Sequence, residues 1–401
     1  MQPSVHPLVE VEAAQAVIRD HTPLLSREVV SLGAALGRFL AEDVRAPRDL
    51  PTDPTSTVDG YALRAGEQGD LVIVGESGAG HPFRGEVPPG SAVRIMTGAI
   101  VPTGLEAVAM IEDVVEKGDR VEVSSLPSGS NIRRLGDDIR SGEMALQRGQ
   151  SIGAAELGLA AALGLPRLPV HRRPKVALIS TGDELVEVGS VVGPGQIIDS
   201  NRWALAAALT QSGAEVEELG SAPDDSEALR PIFEDAFTRN QVLVSSGGVS
   251  TGSHDNVKPL LAKLGHLHIG RVRLKPGMPF TFATLPEGQL AFGLPGFPVS
   301  SLVTFEVFVR PTLLRMQGSQ HPERPRLRVR MGFPVELGDR TEYHRVRLEW
   351  RGEELWASST GVQFSSRLLS LTGAHALVHI PSGQGQRLVG AIAEALILQL
   401  P

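Results

Sequence analysis

Residues 242–264 constrain this chain more than any other stretch. Val242-Leu243-Val244 is a short apolar, β-branched run that stops at Ser245-Ser246-Gly247-Gly248. A small hydroxyl-rich loop, Val249 to Asp255, follows, and Asn256 to Leu264 then has amphipathic spacing. The order is buried strand, glycine loop, helix. Glycines let backbone N–H groups approach a ligand because no Cβ intervenes. A loop feeding a helix N-terminus presents N–H donors without intrahelical partners, together with the positive end of the helix dipole. That setting suits phosphate or another oxyanion. Asp255 can cap the helix or hold a divalent cation. For a Gly-Gly loop taken alone, a tight strand–helix turn with an Asp cap is the simpler account. The choice depends on what the rest of the chain brings to the same place.

At 401 residues, the chain exceeds a single core, and two to four domains are expected. With 41% hydrophobic and 21% charged residues, it reads as soluble and globular. A formal net charge of −8 argues against non-specific nucleic-acid binding. The chain has no Cys, which excludes disulfides, thiolate metal sites, iron–sulfur clusters and a cysteine nucleophile. No apolar run approaches the ~18 residues of a membrane span. Met1 to Pro7 lacks the basic-then-apolar layout of a signal peptide, so a cytoplasmic location is expected.

The texture changes several times along the chain. Val9 to Asp20 and Val29 to Leu40 have helical spacing, and residues 151–164 resume it. Between them, short alternating runs such as Leu71-Val72-Ile73-Val74 and Ala92-Val93-Arg94-Ile95 are broken by Pro and Gly. That predicts a helical domain, 1–46 plus 140–173, with a β module, 47–139, inserted into it. From Pro174 strand and helix alternate. Val176–Ser180 is a continuous apolar strand, Asn201 to Ser212 a helix with Asn201 as its cap, and Glu215–Leu219 the next strand. The helix Glu227 to Phe237, the anchor strand and helix, Leu290–Leu294 and a helix after Pro298 complete the run. The spacing predicts a multidomain α/β protein whose central domain, 174–320, holds a parallel sheet wound with helices. Ligands of such sheets lie beyond the carboxyl ends of the strands. Short alternating strands return past His321 and predict a small β domain over 321–401.

Each polar loop at that edge has an ordinary explanation when taken singly. Ser180-Thr181-Gly182-Asp183-Glu184 places two carboxylates after a buried strand, where helix capping is the simpler reading. Asp224-Asp225 supplies negative charge to a helix N-terminus. Arg271, Arg273 and Lys275 share one face at period two, ordinarily a solvated face. Beside a glycine loop they would supply charge for phosphate. Leu294-Pro295-Gly296-Phe297-Pro298-Val299-Ser300 is a rigid turn with Ser300 able to cap a helix. Three look-alikes can be set aside. Gly75 to His81 mimics a phosphate loop but carries His81 where the lysine should be. His266 and His268 lack a carboxylate ligand nearby. No Gly-x-Ser-x-Gly elbow occurs. Together the segments argue for a phosphorylated small-molecule ligand, with carboxylates able to hold Mg²⁺.

As a set, the motifs are recognisable. They run Val58-Asp59-Gly60-Tyr61-Ala62, Arg94-Ile95-Met96-Thr97-Gly98, Asn131-Ile132-Arg133-Arg134 with Gly136-Asp137-Asp138-Ile139, and Ser180-Thr181-Gly182-Asp183-Glu184-Leu185. Ser246-Gly247-Gly248-Val249-Ser250, Lys275-Pro276-Gly277, and Gly293-Leu294-Pro295-Gly296 with Pro298-Val299-Ser300 follow. In this order and spacing the chain resembles the molybdopterin molybdenumtransferase family, the MoeA proteins and the gephyrin E domain. The resemblance implies a molybdopterin-binding α/β domain, a C-terminal small β-barrel, and a homodimer joined through the helical linker domain. It implies adenylylated molybdopterin and molybdate as substrates. Mg²⁺-dependent cleavage of the adenylyl phosphoanhydride by water would release AMP and molybdenum cofactor. Partners would include the adenylylating enzyme and molybdoenzyme acceptors.

Carried over position by position, the resemblance assigns Asp255, Glu184 and Asp225 to catalysis and the metal. It assigns Ser246, Gly247, Gly248 and Ser250 to phosphate, with Arg271, Lys275 and Pro276 on the basic segment. Asp59, Thr97 and Asp138 match catalytic positions of the β module, which the second subunit would deliver. Arg345, Ser366 and Ser300 match positions linked to molybdate, where guanidinium and hydroxyl donors suit an oxyanion. Two departures stand out. Phe297 replaces the usual Asn, and Met278 stands where a second lysine often follows. Both remove a polar group near the anion and bear on selectivity between molybdate and tungstate. Two competing readings are a molybdopterin adenylyltransferase and a non-enzymatic scaffold. The adenylyltransferase lacks the β module that carries Asp59 and Asp138.

Overall fold

The computed structural model describes residues 7–249 and 256–400. The chain forms two compact units. One comprises the chain up to Glu28, Gly37–Ala41 and everything from Val170 onward; the other comprises Val29–Leu36 and Glu42–Pro169.

The first unit is built on a six-stranded sheet. Its elements are β1 (Lys175–Thr181), α1 (Ser200–Gln211), β2 (Glu215–Ala222), α2 (Ser226–Arg239), β3 (Val242–Ser246), α3 (Val257–Leu264), β4 (His266–Ile269), β5 (Thr281–Thr284), β6 (Leu290–Leu294) and α4 (Pro298–Thr304). Strand order is β2-β1-β3-β6-β5-β4. β2, β1, β3 and β6 are mutually parallel, whereas β5 runs antiparallel to both its neighbours, β6 and β4. The all-parallel sheet expected from the sequence is therefore mixed. The reason is local: Leu285–Gln289, closed by Leu285 N–H to Gln289 C=O at 2.9 Å, is too short for a parallel crossover and can only make a hairpin.

The continuous apolar strands sort their side chains by parity. Val176 and Leu178, Val242 and Val244, and Leu290, Phe292 and Leu294 face one core with Leu205, Leu209, Val299 and Val303 of α1 and α4. Ala177 and Ile179, Leu243 and Ala291 face the other with Leu229, Phe233, Leu260 and Leu261 of α2 and α3. A strand alternates its side chains between faces, so a sheet covered on both sides needs an unbroken apolar run. Each fully buried aliphatic or Phe side chain contributes roughly 1.5–3 kcal/mol. The helix Val11–Asp20 adds Val11, Ala14 and Ile18 to the first core. Strand order reverses between β1 and β3, which opens a crevice at their carboxyl ends.

The C-terminal strands Arg326–Met331, Thr341–Arg351, Glu354–Ser359, Ala376–Ile380 and Ile392–Ile397 pair in a ring. Closure leaves a small barrel filled by Val329, Val346, Ala357, Val378 and Ala395.

The second unit holds a six-stranded sheet containing Gly60–Leu63, Gly69–Ser77 and Ser91–Ile95. Val44–Arg45 pairs with Met144–Leu146, and Leu50 bridges Ile139, so the chain enters and leaves this module side by side. Gly78 and His81 exchange backbone hydrogen bonds in a tight turn. The helix expected over 29–40 is reduced to Leu32–Ala35. Val29 and Val30 continue the strand Arg27–Ser31 instead, as β-branched residues favour, and Gly37 at φ +71° ends the segment.

His268 on β4 packs between His21, at 4.0 Å between ring centroids, and Phe282, at 5.5 Å. Burial, and then the neighbouring His21 and His266, push its pKa down to about 4. Its folded value lies below the ordinary ~6.5 of an unfolded chain. The unfolded state therefore binds more protons between these values, and stability falls as pH drops through that window. Urea midpoints measured from pH 7 to pH 4 should decline in the wild type. The decline should be shallower in His268→Phe; equal slopes would contradict this assignment.

Candidate functional site

A cavity of about 750 Å³ lies at the carboxyl ends of β1, β3 and β6. In the parallel register Ser180 pairs with Ser246, and Ser246 with Leu294, so three strand ends lie abreast. The loops that follow them form the floor. Gly247 (φ +97°) and Gly248 (φ +63°) adopt the conformation that favours glycine. A Cβ at Gly247 would lie 2.3 Å from the Thr181 carbonyl oxygen, and one at Gly248 would lie 2.7 Å from Val257 Cγ2. Only glycine fits at either place. The Gly247 N–H is already used, donating to Leu294 C=O at 3.0 Å. The Gly248 N–H has no partner among the described residues. Ser180 Oγ and Thr181 Oγ1 are buried without a hydrogen-bond partner among the described residues, a costly state unless a further group engages them.

The structure brings Glu184, Ser246, Gly247, Gly248, Lys275, Pro276 and Ser300 together on this cavity. It also lines the cavity with Asp224, which sequence reasoning had treated as helix-end charge. Asp225 faces its own helix: its Oδ2 accepts from Ala228 N–H at 2.9 Å as the N-cap of α2. Asp224 N–H donates to Asp183 Oδ1 at 3.3 Å, tying the two acidic loops to each other. Ser250 and Asp255 lie outside the described residues. Among those described, no cluster of three or more His, Asp or Glu is arranged for a metal ion. Glu184 and Asp224 are carboxylates on the cavity wall, the donor type that Mg²⁺ takes in ones or twos while water and substrate phosphate complete its shell.

Asn201 is the second residue that changes role. Asp199, not Asn201, caps α1 by accepting from Arg202 N–H at 3.1 Å. That frees the Asn201 amide to donate at 2.7 Å to both Ser246 Oγ and Gly296 C=O. It thereby joins the loops after β3 and β6. The signal was in the sequence, since Asp199 precedes Ser200 and Asn201 and is an equally good cap.

The basic segment is less uniform than its spacing suggested. The regular strand is only Leu274–Lys275. Arg271 donates to Met278 Sδ at 3.4 Å, and Arg273 pairs with Glu10 at 2.7 Å. Lys275 alone of the three reaches the cavity, held by Glu342 at 2.9 Å. Glu342 also binds His344 at 2.8 Å. Burial works to raise the Glu342 carboxyl, but the bonds from His344 and Lys275 outweigh it and hold it below the ordinary range.

Arg345 is fully buried in the C-terminal barrel region. Its Nε donates to Ser370 Oγ and its Nη2 to Phe364 C=O, both at 3.1 Å. No carboxylate pairs with it among the described residues, and burial lowers its pKa to about 10. Gln363, also unforeseen from sequence, lines the cavity and binds both the N–H and the C=O of Arg345. Ser366 is exposed and does not line the cavity; its neighbour Ser365 does.

In the second unit, Asp59 Oδ1 accepts from Thr97 N–H at 2.6 Å and from Thr97 Oγ1 at 2.8 Å. Those two bonds, the backbone one first, hold its pKa below the ordinary value. Asp138 pairs with Arg133. Thr57 N–H reaches Asn131 C=O at 3.0 Å and Gly98 N–H reaches Ser56 C=O at 2.8 Å, so all three motif loops of this unit meet. Carbon-detected NMR titration should find the Asp59 midpoint depressed. Thr97→Val should return it only part-way, because the backbone donor remains. Full return to the ordinary value would mean that the hydroxyl is the dominant donor.

The comparisons with known proteins agree with this geometry. Residues 9–164 match the MoeA N-terminal region (domain I and II), 177–315 a probable molybdopterin binding domain, and 328–398 the MoeA C-terminal region (domain IV). The chain is 38% identical over 324 residues to a molybdopterin molybdenumtransferase of Haemophilus influenzae, covering 79% of this chain and 80% of that protein. It is 35% identical over 396 residues to the protein of that name from Nostoc, covering 93% and 89%. Gephyrin of Dictyostelium discoideum matches 98% of this chain at 34% identity, and the chain spans 63% of gephyrin's length. A solved molybdopterin biosynthesis MoeA protein from Pyrococcus horikoshii superposes with a TM-score of 0.83 at 31% identity, covering 98% of this chain and 99% of that one. With matches running from residue 9 to residue 398, the chain belongs to the molybdopterin molybdenumtransferase (MoeA) family.

Proposed function

We propose that this protein inserts molybdenum from molybdate into adenylylated molybdopterin, releasing AMP and molybdenum cofactor. One observation carries the reading: the glycine loop 247–248, the carboxylates Glu184 and Asp224, and Lys275 converge on one cavity large enough for a nucleotide-tailed heterocycle. Family membership and the names of the relatives support it.

Each side chain has a role that its surroundings support. Gly248 N–H and the unpartnered Ser180 and Thr181 hydroxyls receive phosphate oxygens. Lys275, oriented by Glu342, offsets phosphate charge. Glu184 and Asp224 would hold Mg²⁺, which when bound supplies positive charge against the phosphoanhydride. Orienting the attacking water falls to the carboxylates nearest the phosphate. Arg345 carries a buried positive charge, without a counter-ion among the described residues, beside the loop that lines the cavity, a setting that favours an incoming oxyanion such as molybdate. Asp59, Thr97 and Asp138 would complete the site from a second copy of the chain in a homodimer. No helix among the described residues is long and apolar enough to cross a membrane.

Purified protein given adenylylated molybdopterin, Mg²⁺ and molybdate should release AMP only when molybdate is present. Glu184→Gln and Asp224→Asn should each slow release about 100-fold while leaving the circular dichroism spectrum unchanged. ATP consumption in place of AMP release would identify an adenylyltransferase, and neither reaction would leave a scaffold. Molybdate alone should raise the melting temperature of the wild type, because a ligand that binds only the folded state stabilises it. Arg345→Gln should lose that rise. An undiminished rise in the variant would remove Arg345 from the oxyanion site.

A further inference from the structure

Of the 12 phenylalanines in the chain, only Phe297 and Phe364 are strongly exposed, at 60% and 69%. Both line the one cavity described above. They come from loops far apart in sequence that are tied to each other, since Val299 N–H donates to Ser365 C=O at 3.1 Å. Each backbone is also anchored. Phe297 C=O accepts from Ser301 N–H at 2.9 Å at the start of α4, and Phe364 C=O accepts from the buried Arg345 at 3.1 Å. Among the described residues neither ring contacts another aromatic ring, whereas Phe233 with Phe237, and Phe280 with Phe292 and Phe308, meet ring to ring inside the cores. The result is two exposed apolar rings on fixed backbones, lining a cavity that also carries Ser180, Thr181, Glu184, Asp224 and Lys275.

Exposed rings on anchored loops are a poor solution for folding and a good one for binding a flat guest. Aromatic faces stack on heterocycles with little demand on the guest's hydrogen-bond pattern. The phosphate-suited floor needs a ligand with a charged end. We propose that Phe297 and Phe364 form an aromatic clamp at the cavity mouth that stacks on a planar nitrogen heterocycle. Both ends of the substrate proposed above, adenine and pterin, have that chemistry, and the inference rests on that reading of the cavity. The clamp makes ring recognition separable from phosphate recognition.

Calorimetric titration of the full chain with three probes tests this: AMP, ribose 5-phosphate, and 6-hydroxymethylpterin. Wild-type protein should bind AMP at least tenfold more tightly than ribose 5-phosphate, or should bind the pterin measurably. In Phe297→Ala and Phe364→Ala, and most fully in the double variant, the ring-dependent binding should fall at least tenfold while ribose 5-phosphate binding stays the same. Phe297→Tyr, which keeps the face, should retain it. Loss of the AMP preference assigns adenine to the clamp, and loss of pterin binding assigns pterin. Unchanged AMP and pterin binding in the double variant overturns the clamp. So does a change in sedimentation mass with no change in either ligand, which would assign the rings to a contact between copies. If ribose 5-phosphate and AMP fail to bind the wild type while pterin binding still depends on the rings, the phosphate reading fails and the clamp stands. If no probe binds, both fall.

Discussion

The parallel pairing of β1 with β3 and β3 with β6 is the constraint on which the rest of this molecule depends. It places Ser180, Ser246 and Leu294 abreast, so three loops distant in sequence begin at the same edge of the sheet. Parallel pairing needs both faces covered, and the parity-sorted cores provide the cover. The backbone then has little freedom at the carboxyl edge. Gly247 and Gly248 fold back against Thr181 without room for a side chain, and Asn201 joins the second and third loops by two short hydrogen bonds. The sheet ends thus set one wall of the cavity, and Lys275–Pro279 and Gln363–Ser365 add to its lining.

Around that edge the molecule keeps several polar groups in states that folding alone would not favour. Ser180 and Thr181 carry buried hydroxyls without partners among the described residues. Arg345 holds a positive charge away from solvent with only neutral acceptors. Phe297 and Phe364 remain in water. Each carries a free-energy cost, since unmade hydrogen bonds and unpaired buried charge oppose folding. Their concentration on and beside one cavity is the pattern of a site shaped for binding. Lys275 differs, because Glu342, itself bound by His344, already holds it in place. Its charge is oriented before any ligand arrives, which lowers the cost of ordering a long flexible side chain on binding.

Much of this was legible in the sequence, for physical reasons that vary by residue. The strand–glycine–helix order at 242–264 could be read because buried β-branched runs and Gly-Gly leave few alternatives. The C-terminal β domain and the β module were legible as alternating runs, but closure of the former into a barrel was not. Asp225 and Asp224 were not separable, because adjacent carboxylates before a helix look alike until the helix start decides which one becomes the cap. Asn201 was misassigned for the same reason, with Asp199 two residues earlier taking the capping role. The Arg271, Arg273 and Lys275 face was over-read, because period two holds only while a strand lasts and this one covers two residues.

The sequence by itself determined the elements, their burial and the membership of the chain in a family. These follow from local periodicity and from motif order, and both survive without knowledge of which distant segments touch. The tertiary structure decided which polar residues share a cavity, which glycine amide is left to donate, and that two phenylalanines from separate loops stand at the same mouth. Those facts depend on register and loop closure across more than a hundred residues. No local pattern encodes such distances, because a loop's direction is set by the sheet it leaves and by the neighbour it meets.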